Sequence, residues 1–246
     1  MNFNLRTRSS TLKSNIALAA LFFGLVAISS HAKDQPYLAS QKTDTISLLA
    51  PPPLPGSPEQ AADLAATVAI HQNRKPSEAA AGMAEDKFTI FYFTPSIGKY
   101  FQPDALPKTE AFFRQVEKET KEVTNIAKDY WKRSRPYTVD QRLAPDKTEK
   151  SFSYPSDHST RATVFALLLA DLVPSKREDI MSIGRDIGWH RVVLGKHYPT
   201  DIYAGRVLAQ AIVRDLKANS DFQHAFAEVK VEITTAQMRA ETIQNK

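Results

Sequence analysis

Lys108 to Ser134 reads KTEAFFRQVEKETKEVTNIAKDYWKRS, and its apolar positions decide the fold class. Phe112, Phe113, Val116, Val123, Ile126, Ala127, Tyr130 and Trp131 recur at three- and four-residue steps, the period of an amphipathic helix. Pro136 lacks the backbone donor a helix needs and stops the run. Lys128 and Arg135 are about two helical turns apart, so a helix reaching Ser134 projects both from one face. With Lys132 and Arg133 they also fit a plain solvated basic stripe.

The same period continues on either side. Ser57 to Gln72 has alanine-rich apolar spacing, and a polar loop covers Tyr137 to Tyr154. Ser156 opens a helix whose apolar face includes Ala162, Phe165, Leu168 and Leu169 and which ends before Pro174. Ser175 with Glu178 has the spacing of a capping box for a helix running toward Gly188. After a turn at Gly195, Pro199 suits a first helical turn, and Asp201 to Lys217 forms another amphipathic helix. Strand signal is slight, and the expected fold class is all-α, a single-domain helical bundle around one core.

Composition agrees. The chain has 246 residues, 42% hydrophobic and 24% charged, which suffices for a sizeable core. It has no cysteine, which removes disulfide scaffolds and cysteine-based zinc or iron–sulfur sites. The formal net charge of +5 points weakly to polyanions. Much of that excess is Arg6, Arg8 and Lys13, which precede the apolar stretch Ile16 to Ile28 and the small-residue end Ser30-His31-Ala32. This is the layout of a secretory signal peptide over residues 1–32, with cleavage before Lys33, and the apolar stretch is short of the ~20 residues that span a bilayer. The expected protein is therefore exported, periplasmic or secreted, without stable membrane insertion after cleavage. Residues 33–76 form a proline-rich arm, with Pro51-Pro52-Pro53 excluded from helix and central strand, and residues 77–246 form the helical domain.

Three segments place cationic or imidazole side chains beside a helix end or along one helix face. Lys128 to Pro136 reads KDYWKRSRP. Tyr154 to Ser159 reads YPSDHS at a helix start, where free N–H groups suit a phosphate oxyanion, although Ser156 fits a simple cap and His158 a surface histidine. His190 to Asp201 reads HRVVLGKHYPTD. There Arg191 offers a planar fork, and Asp201 can accept from one nitrogen of His197 and leave the other free as a nucleophile. A capping aspartate beside an unrelated histidine is the plainer reading of that last pair.

Taken in order, K-x-x-x-x-x-x-R-P, P-S-x-H and R-x-x-x-x-x-H-x-x-x-D resemble the signature of the type 2 phosphatidic acid phosphatase superfamily. Within it the chain resembles the bacterial class A non-specific acid phosphatases. The resemblance implies a phosphoric monoester hydrolase with no cofactor and no metal, acting on a small phosphomonoester rather than nucleic acid. His197 would be the nucleophile, oriented by Asp201, and His158 the general acid and base. Lys128, Arg135, Arg191, Ser156 and the backbone N–H of Asp157 would hold the phosphoryl oxygens. Two histidines are then asked for opposite states, His197 neutral and His158 protonated, which implies an acidic optimum.

Two positions depart from the family pattern. Asp157 stands where glycine is usual, so its carboxylate must point away or pair with a cation such as Arg161. His190 stands where serine is usual. Vanadium-dependent haloperoxidases share the pocket but are generally much longer. A soluble lipid or isoprenoid phosphatase, and a non-catalytic phosphate-binding protein, use the same cations. The number of subunits, including a homo-oligomer, is open.

Overall fold

A computed structural model describes residue 1, residues 36–38 and residues 43–244 of the chain. The expected leader, apart from Met1, lies outside the described residues, as do residues 33–35 and 39–42 of the arm. Every long element is helical: α1 (Pro58–Gln72), α2 (Pro76–Ala84), α3 (Pro107–Trp131), α4 (Asp157–Leu172), α5 (Arg177–Val193), α6 (Pro199–Ala218) and α7 (Ser220–Gln244). Short α and 3-10 turns fill the links, and no strand occurs among the described residues. The all-α expectation is met. The 33–76 segment is not extended throughout: residues 51–54 carry no regular structure, but Thr45–Leu48 forms a short helical turn and Pro58–Gln72 is helix α1.

Helix α4 is the axis of the bundle, packed against α3, α5 and α6. Val164, Phe165, Leu168 and Leu169 are at most 1% exposed, and each such burial contributes about 1.5–3 kcal/mol. Phe165 meets Phe113 of α3 edge to face at 5.4 Å between centroids. Phe112 packs against Phe222 and Phe226, which brings α7 onto the same core. Glu232 of α7 caps α3, accepting from the backbone N–H of Lys108 (3.0 Å) and Thr109 (2.7 Å).

Glycines let the helices close around the future site. A Cβ at Gly184 of α5 would lie 2.7 Å from Ala166 Cβ, and one at Gly205 of α6 would lie 2.9 Å from Ser156 O. The backbones of α4 and α6 therefore meet at their N-terminal ends: Ser156 N–H donates to Asp201 O (3.0 Å) and Ser159 Oγ to Ile202 O (2.8 Å). Two boundaries differ from the sequence reading. Helix α5 starts at Arg177 after a 3-10 turn over Pro174–Lys176, and the Ser175–Glu178 capping box does not form, since its N-cap, Lys176, has no side-chain cap bond. It also runs on to Val193, which carries Arg191 into its last turn.

Candidate active site

Helix α3 ends at Trp131 because Lys132 turns left-handed (φ 47°, ψ 35°), its N–H donating to Lys128 O. Arg135 therefore lies beyond the helix, and the expected shared helix face is corrected. The two cations converge by another route. Lys128 Nζ donates to Phe152 O at 2.7 Å, while Arg135 donates through Nε to Ser151 O (2.8 Å) and through Nη2 to Ser151 Oγ (3.1 Å). Lys128 is 2% exposed, and burial, reinforced by Arg135, pushes its ammonium down to about 8.

His197 sits between α5 and α6, buried, after a turn in which Gly195 takes φ +68°. Its Nδ1 lies 3.2 Å from Asp201 Oδ2. That carboxylate also accepts from Ser153 Oγ (2.5 Å), from Tyr198 N–H (2.9 Å) and, at Oδ1, from Arg133 Nη1 (2.7 Å). An acceptor at Nδ1 makes that nitrogen the N–H donor, so Nε2 keeps its lone pair. Arg135 Nη1 faces Nε2 at 3.0 Å, as a donor must. Burial, followed by Arg135, Lys128 and Arg191, holds His197 well below the usual imidazole range, so the ring is neutral.

Arg133 escaped the sequence reading as part of a solvated stripe. Lys132 is exposed, but Arg133 is 7% exposed, stacks 3.9 Å over the Tyr198 ring and forks between two carboxylates. Nη1 takes Asp201 and Thr200 Oγ1, and Nη2 takes Asp63 Oδ2 and Gln60 Oε1, each at 2.7 Å.

Ser156 is the N-cap of α4, its Oγ accepting from Ser159 N–H at 3.3 Å. Of the two alternatives for Asp157, pairing with Arg161 does not occur: Arg161 pairs with Glu117 and stacks 4.0 Å over Phe88. Asp157 Oδ1 is buried without a hydrogen-bond partner among the described residues, and its charge raises the affinity of Lys128 and Arg135 for their protons. The carboxylate thus lies within the field of these cations without bonding to them. His158 is not a surface histidine. Its Nε2 is buried and unpartnered among the described residues. Burial, then Arg191, Arg161 and His197, pushes it well below the usual range, so without a bound anion it is neutral rather than protonated.

Arg191 closes the ring at 1% exposure, with Nη2 3.3 Å from Glu149 Oε1 and with Nε and Nη1 buried and unpartnered among the described residues. His190, beside it, is not in the ring. Its Nδ1 meets the buried Glu85 at 2.9 Å, an ion pair that raises its pKa. Sequence positions from 128 to 201 thus supply three buried cations, two neutral imidazoles and a helix N-terminus around one small space. Chemically, such an arrangement has the charge and the donors to hold a tetrahedral anion beside Nε2 of His197.

A sequence model described as the PAP2 superfamily matches residues 120–217. The chain is 27% identical over 244 residues to an acid phosphatase of Zymomonas mobilis, covering 92% of each. It is 30% identical over 211 residues to a non-specific acid phosphatase of Providencia stuartii, covering 78% of this chain and 82% of that one. A non-specific acid phosphatase of Salmonella typhi is 29% identical over 147 residues, 57% of this chain and 59% of that one. The chain belongs to the PAP2 superfamily, among its non-specific acid phosphatases.

Proposed function

We propose that this phosphatase hydrolyses small phosphate monoesters without a metal, through a phosphohistidine on His197. The observation that carries the reading is the orientation of that ring, with Nδ1 against Asp201 and the Nε2 lone pair turned toward the cations at Arg135. In the first step Nε2 bonds to phosphorus and the bond from phosphorus to the ester oxygen breaks. His158 gives that oxygen a proton. In the second step His158 takes a proton from water, the hydroxide attacks phosphorus, and the bond to Nε2 breaks, returning its electron pair to the ring. Lys128, Arg135 and Arg191, with Ser156 and the Asp157 N–H, hold the three remaining oxygens, which carry the charge of the transition state.

His158 is neutral in the free site, so the proton enters with the substrate. A monoester monoanion brings one, or the bound dianion raises His158 enough to take one from water. Both routes favour acidic pH, since a phosphate monoester loses its second proton near pH 6.

The test is an acid- and base-quench of turnover on a labelled aryl phosphate in chelator. Label bound to protein that is lost in acid and kept in base, and absent from His197→Ala, is expected. Stoichiometric label on another residue, or abolition of turnover by the chelator, would overturn the reading. Export with cleavage before Lys33 belongs to the same proposal, and the N-terminal sequence of the exported protein checks it.

A further inference from the structure

Lys196 is absent from the phosphate ring described above, yet it is 2% exposed. Lysine is seldom so buried unless paired. Its Nζ lies 3.3 Å from Asp146 Oδ1 and 3.7 Å from Glu149 Oε1, two carboxylates whose side chains are 52% and 27% exposed. The same Glu149 oxygen lies 3.3 Å from Arg191 Nη2. One anionic oxygen therefore bridges Lys196 and Arg191. Its separations exceed the ~2.7–2.9 Å of a tight charge-assisted bond, unlike the 2.7 Å contacts of Arg133. Glu149 holds these cations loosely.

Arg191 has five N–H donors. Nη2 faces Glu149, while Nε and Nη1 are free of partners among the described residues. Nη2 is shared by the two bidentate edges of the guanidinium, so the group can contact two neighbouring phosphoryl groups at once. Lys196 is fixed from behind, its N–H donating to Arg191 O (2.9 Å) and its carbonyl accepting from Arg135 Nη1 (3.0 Å). The leaving-group side is close. Asp86, whose carboxyl is lowered first by a hydrogen bond from Lys147 and then by the Lys147, Lys196 and Arg191 charges, also borders His158 through its backbone.

We propose that Lys196 and Nη2 of Arg191 form a second anion subsite beside the phosphoryl ring, occupied in the free enzyme by Glu149. Through it the enzyme favours substrates whose leaving group is itself a phosphate, diphosphates over simple monoesters. This rests on reading the neighbouring ring as the site of the scissile phosphoryl group. The hydrolytic step is unchanged.

Binding of methylenediphosphonate and methylphosphonate, neither of which is hydrolysed, is measured by calorimetry on wild type, Lys196→Gln and Glu149→Gln. Wild type binds the diphosphonate more tightly, and Lys196→Gln lowers the ratio of the two affinities about tenfold, the loss of one charged contact. Glu149→Gln, which removes the competing charge, raises diphosphonate affinity more than monophosphonate affinity. An unchanged ratio in Lys196→Gln, or equal losses for both ligands, overturns the proposal by making Lys196 scaffolding or part of the scissile ring. So does a weaker diphosphonate in Glu149→Gln, which decides alone if Lys196→Gln does not fold. Turnover of phenyl phosphate by wild type is measured in parallel. Its absence would sink the phosphohistidine reading while leaving the binding ratios interpretable.

Discussion

Arg133 Nη1 lies 2.7 Å from Asp201 Oδ1, while the other oxygen of that carboxylate faces His197 Nδ1 at 3.2 Å. The charge of Asp201 is thus matched by a cation outside the phosphate ring. Asp201 can orient the imidazole without drawing a second proton onto it, which suits a nucleophile that must stay neutral. Because Arg133 also holds Asp63, helix α1 is tied into the site through the same guanidinium.

Arg133→Lys should lower kcat about a hundredfold, the scale of a small misplacement of a reacting group, with KM changed only a few-fold. A single ammonium cannot span Asp63 and Asp201 as the fork does, yet it does not touch the phosphoryl ring. Steady-state kinetics check the split. A raised KM at constant kcat would contradict the positioning role. Arg133→Met, which strands two buried carboxylates, should also cost about 3–5 kcal/mol of stability, read as an early thermal melt.

Asp157→Asn should tighten inorganic phosphate about tenfold as an inhibitor, because the carboxylate, with Oδ1 buried, shares the field of Lys128 and Arg135 and would repel an anion bound there. The same change removes one charge that holds the Lys128 proton, so loss of phosphate binding on the alkaline side should begin at lower pH. Helix α4 loses a favourable first-turn acid, a cost of about 0.3–1 kcal/mol. Inhibition constants measured across pH check both signs. An unchanged constant would place the carboxylate outside the field of the site.

The helices and the convergence of the three segments were legible because both rest on local pattern. Apolar spacing marked α3, α4 and α6, and the three cationic segments meet as their order suggested. What was not legible depended on a backbone turn or a distant partner. The end of α3 at Trp131 follows from a left-handed Lys132, a conformation no residue type there advertises. Arg133 looked solvated because its partners, Asp63 and Thr200, lie 70 and 67 residues away. The Asp157–Arg161 pair failed because Glu117, on another helix, takes Arg161. The state of His158 needed its burial, which spacing cannot report.

Gly205→Ala and Gly184→Ala separate packing from catalysis. A Cβ at 205 meets the backbone carbonyl of Ser156 at 2.9 Å and Thr160 N at 3.1 Å, neither of which can yield like a flexible side chain. It should cost about 1–3 kcal/mol, roughly 2–10 °C in Tm, and lower kcat by pushing Ser156 from Asp201. At 184 the clash is with Ala166, a full helical turn or more from the catalytic end, so a similar loss of Tm should come with a much smaller loss of kcat. Equal kcat losses would show that the α4–α6 contact does not position the site.

Lys128 should set the alkaline limit of phosphate binding. Its ammonium is pushed down to about 8, first by burial and then by Arg135, against a usual 10.5. Below that pH it is charged and, in the proposed mechanism, holds the phosphoryl oxygens; above it the charge is lost. A phosphate monoester loses its second proton around pH 6, about two units lower, and is fully ionised by pH 8, so a change in this window belongs to the protein. Phenyl phosphate binding to His197→Ala protein, which does not turn over, should therefore weaken as pH rises through about 8, and the limit should move upward in Lys128→Arg. Binding near pH 8–9 should take up a proton, because the bound anion restores the ammonium, and calorimetry in buffers of different ionisation enthalpy reads that uptake. Stability runs the other way. A basic group whose folded pKa lies below its unfolded value costs stability while charged, so this contribution improves as pH rises from about 8 to 10.5. The pH that removes the phosphate clamp is the pH that relieves the fold of a buried charge. A melting temperature that falls in step with affinity over that window would assign the limit to another group.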